Sequence, residues 1–254
     1  MAVPIQIRAS SLGELFDCPA RWQAKHLIGL RLPISAASRL GTAVHAGTAL
    51  FDQSRLDGNP LTADEAAGAV ADVIQDKNED VDWIEVSQKD AEKIAIPLHG
   101  LYCEKIAPKQ NYVAVEALCD NLTITDIGIT LTGTVDRVRI TDDGLGIADL
   151  KTGKTAVAAD GTVKTLGHAA QIGVYELLAS HALAQDITAP AQIIGFQTGK
   201  TAKGQRVGTG EIYQAKDVLL DGEDGTPGLL RHASKIVHSG DFYGNPRSPL
   251  CAEK

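Results

Sequence analysis

The feature that most constrains the fold of this chain is a change of hydrophobic period near residue 112. Apolar residues recur at helical spacing before that point and alternate with polar residues after it. The alternation runs through residues 112–118, 129–140 and 145–151, and we predict each segment to be a β-strand. Because Asp-Ile-Gly and Asp-Asp-Gly turn sequences separate them, we expect consecutive strands to be antiparallel neighbours.

Helical patterns flank this predicted meander. Capping-box pairs, Ser11 with Glu14 and Thr62 with Glu65, mark two helix starts, and Pro19 is expected to kink or divide the first helix. Further predicted helices cover residues 38–56, 62–80, 87–106, 166–183 and 227–238, and further strands cover 191–198 and 212–213. We therefore predict one α/β domain over residues 1–254, with a central mixed β-sheet flanked by helices, an N-terminal helical part and an acidic helical insertion at 58–108.

Two carboxylates and a lysine are expected to converge on this sheet. Asp149 and Lys151 are two residues apart on one predicted strand, so their side chains share a face, and Asp136 lies near the end of the preceding strand. Carboxylate oxygens suit Mg²⁺ or Mn²⁺, which bind phosphate groups and lower the pKa of a water. An Asp-x-Lys tripeptide is also typical of a surface salt bridge, and by itself it favours that interpretation.

Other polar residues stand where they would complete a site. His45 follows an apolar stripe on a predicted helix, and Glu116 lies on the first predicted strand. Gln171 and Tyr175 are four residues apart, so they share one face of a later helix. Each has an ordinary structural interpretation when taken alone: a core or surface histidine, an exposed strand glutamate and a packing pair.

In chain order, five motifs resemble those of the PD-(D/E)XK nuclease superfamily, in its RecB-type and CRISPR-adaptation exonuclease branch. The segment from Ser10 to Trp22 is similar to the family's opening signature, with its Cys-Pro pair at Cys18. The other motifs are Gly41-Thr-Ala-Val-His45, Gly133-Thr-Val-Asp136-Arg, Ile147-Ala-Asp149-Leu-Lys151-Thr-Gly and Gln171-x-x-x-Tyr175. The set covers most of the chain outside the acidic helical segment. It implies a restriction-endonuclease-like core that hydrolyses DNA phosphodiester bonds, with an exonuclease favoured over an endonuclease.

The resemblance also implies a role for each matching residue. The metal ligands that it implies are His45, Asp136, Asp149 and the carbonyl of Leu150. Lys151 corresponds to the catalytic lysine of the family. Gln171 and Tyr175 resemble the accessory pair that orients this lysine or the scissile phosphate, and Glu116 matches a less constant acidic position.

Many members of this branch hold a [4Fe–4S] cluster with one cysteine in the opening motif and three near the C-terminus. Cys18 matches the first position, and Cys251 resembles the start of the C-terminal group. A four-thiolate site needs two more ligands, whereas Cys103 and Cys119 are interpreted as buried packing thiols. We therefore expect Mg²⁺ or Mn²⁺ as the cofactor and only a remnant of the iron–sulfur site in the chain as given.

The charge distribution bears on a DNA partner. The formal net charge is −8, yet residues 1–45 carry a balance of +3 and residues 51–95 one of −8, so the acid is concentrated in one segment. The loop after residue 198 places Lys200, Lys203 and Arg206 among glycines, and we predict that it contacts DNA phosphates. A solvated hairpin tip is the alternative. No apolar run approaches the roughly 20 residues of a membrane span, and we expect a cytoplasmic location.

Two other classes of protein compete with a nuclease. Gly-Lys-Thr occurs twice, at residues 153–155 and 199–201, but the glycine that a P-loop requires five places earlier is replaced by Ala148 and Ile194. A P-loop nucleotide-binding protein is thereby excluded. A non-catalytic DNA-binding or assembly module that keeps the nuclease fold stays open as the alternative function.

Overall fold

A computed structural model describes residues 3–248 of the protein. The helices are α1 (Leu12–Asp17), α2 (Pro19–His26), α3 (Ala36–Leu56), α4 (Ala63–Gln75), α5 (Gln88–Lys105), α6 (Ala169–Leu183) and α7 (Leu229–Ser239). The strands are β1 (Ile5–Arg8), β2 (Ile34–Ser35), β3 (Val81–Asp82), β4 (Tyr112–Leu118), β5 (Leu122–Ile124), β6 (Ile129–Thr132), β7 (Thr134–Thr141), β8 (Gly144–Gly153), β9 (Ala191–Gln197) and β10 (Arg206–Ile212). The helices predicted from spacing are present with shifted ends, and the helix division at Pro19 is confirmed.

The main sheet has five strands in the order β10-β9-β8-β7-β4. β8 and β9 are parallel, and the other neighbours are antiparallel. The crossover between the parallel pair contains α6, as a parallel connection requires. The predicted mixed sheet with flanking helices is therefore confirmed.

A second, three-stranded sheet was not predicted as a separate sheet. It has the order β1-β6-β5, with β1 parallel to β6. The single strand expected over residues 129–140 was wrong, because it divides at Gly133 into β6 and β7, which belong to different sheets. A Cβ at Gly133 would lie 3.0 Å from the Tyr175 ring, so the division occurs where side chains of α6 pack closely against the backbone.

Helices cover both faces of the main sheet. Leu40 and Val44 of α3 share one apolar cluster with Ala148 and Leu150 of β8 and with buried residues of α4 and α5. α6 shares the other cluster, which also contains Ile147 and Ile193. The capping box of Thr62 and Glu65 forms as expected and starts α4. This layering holds β8 between α3 and α6.

The N-terminal and C-terminal parts of the described chain meet. The Trp22 ring stacks on Phe242 with centroids 6.3 Å apart, and the Asn245 backbone N–H lies 3.5 Å from the Cys18 sulfur. Residues 242–248 therefore pack against the opening motif. Cys251 lies outside the described residues. In the described chain, no helix is both long and apolar enough to cross a membrane.

Candidate active site

Asp136 and Asp149 face each other where the β7–β8 ladder ends. The last backbone pair is Arg137 with Ala148, so continuing the register places Asp136 opposite Asp149. In place of a backbone bond, the Leu150 N–H donates to Asp136 Oδ2 at 2.8 Å. Both carboxylates are buried, with 8% and 1% of their residue surfaces exposed. Two acidic side chains thus meet in a region where water does little to separate their charges.

Lys151 lies beside Asp149, as the two-residue spacing predicts. Its Nζ atom is 2.7 Å from Asp149 Oδ2. Burial raises the pKa of Asp149 to about 6; Lys151 opposes this shift, and the nearby Asp136 carboxylate adds to it. The lysine therefore compensates only part of the cost of holding two carboxylates together.

His45 reaches this cluster from α3. Its Nε2 atom is 3.0 Å from the Leu150 carbonyl oxygen, and its Nδ1 atom is 3.6 Å from Asp136 Oδ2. When Nε2 carries the proton it donates to Leu150, and the Nδ1 lone pair faces Asp136. In this arrangement the Leu150 carbonyl, expected from the resemblance to bind metal, accepts a hydrogen bond from the histidine.

Glu116 joins the cluster from β4 through an unusual backbone conformation. The β4–β7 register places it opposite Asp136, and its φ of 47° lies in the left-handed region that side chains rarely adopt. Burial, followed by the charge of Asp136, raises the pKa of the Glu116 carboxyl. A backbone held in such a conformation is one way in which a fold directs a side chain toward a site.

The arrangement of these side chains fits a hard divalent cation. One ligand atom each from His45, Glu116 and Asp136 lies within 4.8 Å of the others. Carboxylate oxygens and an imidazole nitrogen suit Mg²⁺ or Mn²⁺. This trio differs from the ligand set expected from the sequence, because Glu116 takes part while Asp149 pairs with Lys151. We name these five residues, Asp136, Asp149, Glu116, Lys151 and His45, the carboxylate cluster.

The accessory pair also lies at this site. Gln171 Nε2 donates to the Tyr175 hydroxyl at 3.0 Å, as their shared helix face predicts. Burial raises the pKa of Tyr175, and the charge of Asp149 raises it further. The phenol is therefore kept protonated and close enough to the carboxylates for their charges to influence it.

A buried arginine that the sequence did not mark as functional supports the site. Arg137 has no exposed surface, and its guanidinium donates to the Asp52 carboxylate at 2.8 Å and to the Glu116 carboxylate at 3.2 Å. It also donates to the Asp136 carbonyl oxygen at 2.7 Å and to the Thr48 hydroxyl at 3.2 Å. A cation within the run Val-Asp-Arg-Val-Arg-Ile is the one signal that pointed to it.

Two tyrosines contact Arg137 and its partner Asp52. The Tyr102 hydroxyl donates to Asp52 at 2.5 Å and lies 3.1 Å from the Tyr112 hydroxyl. The guanidinium of Arg137 lies over the Tyr112 ring. We name Arg137, Asp52, Thr48, Tyr102 and Tyr112 the Arg137 cluster. It joins α3 and α5 to β4 and β7 directly behind Glu116.

The predicted DNA-contacting loop is shorter than expected, because β10 begins at Arg206. Lys200 and Lys203 are exposed at its tip. The Arg206 guanidinium is partly buried and donates to the Val157 carbonyl oxygen at 3.1 Å. A role of Lys200, Lys203 and Arg206 in DNA binding stays a prediction, and Arg206 already donates a hydrogen bond within the protein.

Comparison with known families decides what kind of site this is. The sequence profile of the PD-(D/E)XK nuclease superfamily matches residues 6–251. The chain belongs to this superfamily. Its catalytic core is a hydrolytic nuclease fold that generally works with divalent metal and implies a DNA substrate. The family expected from the five motifs is thereby confirmed.

One solved structure supports the fold. A protein from Eubacterium rectale described as a candidate exonuclease is 13% identical, with a TM-score of 0.56, and the match covers 98% of this chain and 90% of that one. The structure of SSO0001 is 14% identical over 91% of this chain and 84% of that one, and its TM-score of 0.33 is too low to support an argument. Among curated proteins, no match is found.

Proposed function

We propose that this PD-(D/E)XK protein is a DNA nuclease of the RecB-like branch that requires Mg²⁺ or Mn²⁺ and degrades DNA as an exonuclease. The observation that supports this most is the meeting of His45, Glu116 and Asp136 beside the Asp149–Lys151 pair. Salt-bridge residues on a surface strand would not need two buried acids, Asp136 and Asp149, with a third acid, Glu116, around one lysine. The motif order of the RecB-like branch supports the exonuclease mode over the endonuclease mode.

Each residue has a task in this proposal. Asp136 and His45 hold the cation, Asp149 and Glu116 contribute further negative charge, and the Leu150 carbonyl adds an oxygen. Asp149 fixes one hydrogen of the Lys151 ammonium, which leaves two others to donate to a phosphate oxygen or to position the attacking water. Gln171 and Tyr175 donate toward the same region. When bound, the divalent cation would supply an acidified water and positive charge for the phosphate oxygens.

The alternative is a DNA-binding or assembly module without catalysis. Such a module needs cationic side chains that bind phosphates, but it gains nothing from buried carboxylates, because carboxylates repel phosphates. We retain the interpretation of residues 58–108 as an insertion into a single nuclease domain, since α4 and α5 add a helical layer over α3. A cytoplasmic location stays a prediction from the sequence.

A cleavage assay with end-labelled DNA tests the proposal. We expect activity with Mg²⁺ or Mn²⁺, none in EDTA and none with Ca²⁺ alone, and a Lys151→Ala variant should be inactive. Lys154→Ala is the matched control, because Lys154 is an exposed lysine three residues away. Full turnover in EDTA, or equal activity of the two lysine variants, would contradict the proposal.

A further inference from the structure

A polar cavity of about 400 Å³ lies beside the active site, where the three-stranded sheet meets β4 and β7. Its walls include Arg8 and Ser10 near β1, Asn121 after β4, and Thr134 at the start of β7. Among the residues of the described chain that line it, Arg8 is the one charged residue and none is acidic. In a chain with a net charge of −8, a cavity with this lining stands out as a place for an anion.

The cavity lies close to the carboxylate cluster. Tyr175 lines it and is also influenced by the charge of Asp149. Thr134, another wall residue, precedes Asp136 by two positions on β7, a distance of roughly 7 Å along a strand. A phosphodiester chain held at the carboxylates therefore reaches the cavity within about one nucleotide step.

Arg8 has the chemistry to bind that chain. It is exposed, it pairs in register with Thr132 across β1 and β6, and in residues 3–248 it makes no ion pair with a carboxylate. A guanidinium presents a planar set of donors that matches two oxygens of a phosphate. Ser10, Thr134 and Asn121 line the same cavity, and their hydroxyl and amide groups suit a sugar or a second phosphate oxygen.

We propose that this cavity, which we name the Arg8 cavity, binds the nucleotide next to the scissile phosphodiester, with Arg8 on its phosphate. The inference rests on the proposed nuclease function and adds a substrate-binding site to it. A volume of about 400 Å³ is within the range of small-ligand sites. Arg8 acts here on affinity and on the position of the strand, and the carboxylate cluster performs the chemistry.

Binding by a cleavage-deficient protein tests this site. The full chain with Asp149→Asn is titrated into a fluorescein-labelled 12-nucleotide oligothymidylate with Mg²⁺, and anisotropy gives Kd at several salt concentrations. Adding Arg8→Gln should raise Kd roughly tenfold and reduce the salt slope by about 0.7, the value for one phosphate contact on a single strand. Arg8→Lys should keep the slope and recover only part of the affinity, because an ammonium lacks the guanidinium fork.

Lys89→Ala is the matched control, because it removes one exposed cation at the start of α5 in the acidic segment. Its Kd should stay within about twofold of the parent value. If Arg8→Gln binds like Lys89→Ala, the Arg8 cavity is not a nucleotide site, even where the wild-type protein cleaves DNA. If the parent protein binds no DNA and the wild type cleaves none, the proposed function is wrong and this inference with it. Circular dichroism melting of each variant separates lost binding from lost folding.

Discussion

Two clusters of charged residues meet on β7 at consecutive residues, Asp136 and Arg137, and they are organised in opposite ways. In the Arg137 cluster one cation donates to four acceptors, including the Asp52 carboxylate. In the carboxylate cluster three acids surround one lysine and one histidine, and of the three carboxylates only that of Glu116 also accepts from the Arg137 side chain in the part of the chain that the structure describes. The first cluster has its compensating charge built in, whereas the second retains an excess of negative charge.

This difference separates a structural use of charge from a functional one. A buried ion has to be paired, and the Arg137–Asp52 pair achieves this within the protein. Burial raises the pKa of Asp52 as well, but there the charge of Arg137 opposes the shift. In the carboxylate cluster burial raises the pKa values of Asp149 and Glu116, and the neighbouring Asp136 carboxylate adds to both shifts. A divalent cation would relieve the repulsion among these carboxylates when it binds. The negative charge of this region is therefore poorly compensated without metal, and the region is suited to bind one.

The largest expected effect is on catalysis. Asp149→Asn preserves shape but removes a charge that holds Lys151 and balances the cation, and we expect cleavage to fall by at least roughly a thousandfold. DNA binding and the circular dichroism spectrum should be retained. Release of acid-soluble nucleotides from labelled DNA measures the loss. Asp142→Asn, in the exposed turn between β7 and β8, is the control and should cleave normally; near wild-type turnover of Asp149→Asn would show that the site lies elsewhere.

The next effect concerns the Arg137 cluster. Arg137→Met leaves the Asp52 carboxylate buried without its cation, and we expect a loss of about 3–5 kcal/mol in the free energy of unfolding. Urea unfolding measures this value. A double variant, Arg137→Met with Asp52→Leu, removes both charges and should regain most of the stability. If the double variant is as unstable as the single one, the pairing of Arg137 with Asp52 is not what holds this region together.

The two clusters also differ in how far the sequence revealed them. Asp149 and Lys151 are separated by one residue on one strand, so alternation alone places them side by side. Asp136 contacts the Leu150 N–H because the β7–β8 hydrogen-bond ladder ends there. His45 reaches the cluster because α3 packs against β8. Local spacing in the sequence specifies neither feature. The motif resemblance pointed to these residues because a family pattern carries tertiary information that a single periodicity lacks.

The Arg137 cluster was not predictable in the same way. Asp52 and Arg137 are 85 residues apart, and nothing in the surroundings of Asp52 distinguishes it from other helical acids. The division of the predicted 129–140 strand at Gly133 depends on the close approach of Tyr175, which again is tertiary. Element types and the alternating faces follow from local pattern, whereas sheet membership and long-range ion pairs do not.

A smaller effect should appear in the stability of the metal-free protein as pH changes. The folded pKa of Asp149 is raised to about 6 from an ordinary 3.8, so its ionisation is penalised in the fold. The penalty is absent below about pH 4, grows as pH rises to 6 and is constant above that, reaching about 3 kcal/mol at most. In EDTA, Asp149→Asn should therefore melt higher than wild type at pH 8 and equally at pH 3.5.

Mg²⁺ provides the check on this interpretation. It should raise the melting temperature of the wild-type protein at pH 8 more than that of Asp149→Asn, because the cation relieves a repulsion that the variant lacks. A wild type that is more stable than Asp149→Asn in EDTA at pH 8 would show that Lys151 compensates Asp149 fully. The carboxylate cluster would then resemble the Arg137 cluster, and the contrast drawn between them would fail.

The smallest expected effect lies in the loop between β9 and β10, whose cations belong to neither cluster. Lys200 and Lys203 are exposed, whereas Arg206 donates to the Val157 carbonyl. If this loop contacts phosphates, Lys200→Ala with Lys203→Ala should reduce the salt slope of oligonucleotide binding by about 1.4, at roughly 0.7 per contact. Arg206→Gln should leave the slope unchanged and lower the melting temperature slightly, since its hydrogen bond is internal. The same anisotropy titration measures the salt slope of both variants. An unchanged salt slope in the double lysine variant would show that the loop only connects β9 to β10. A reduced slope in Arg206→Gln would mean that the Arg206 guanidinium leaves the Val157 carbonyl when DNA binds.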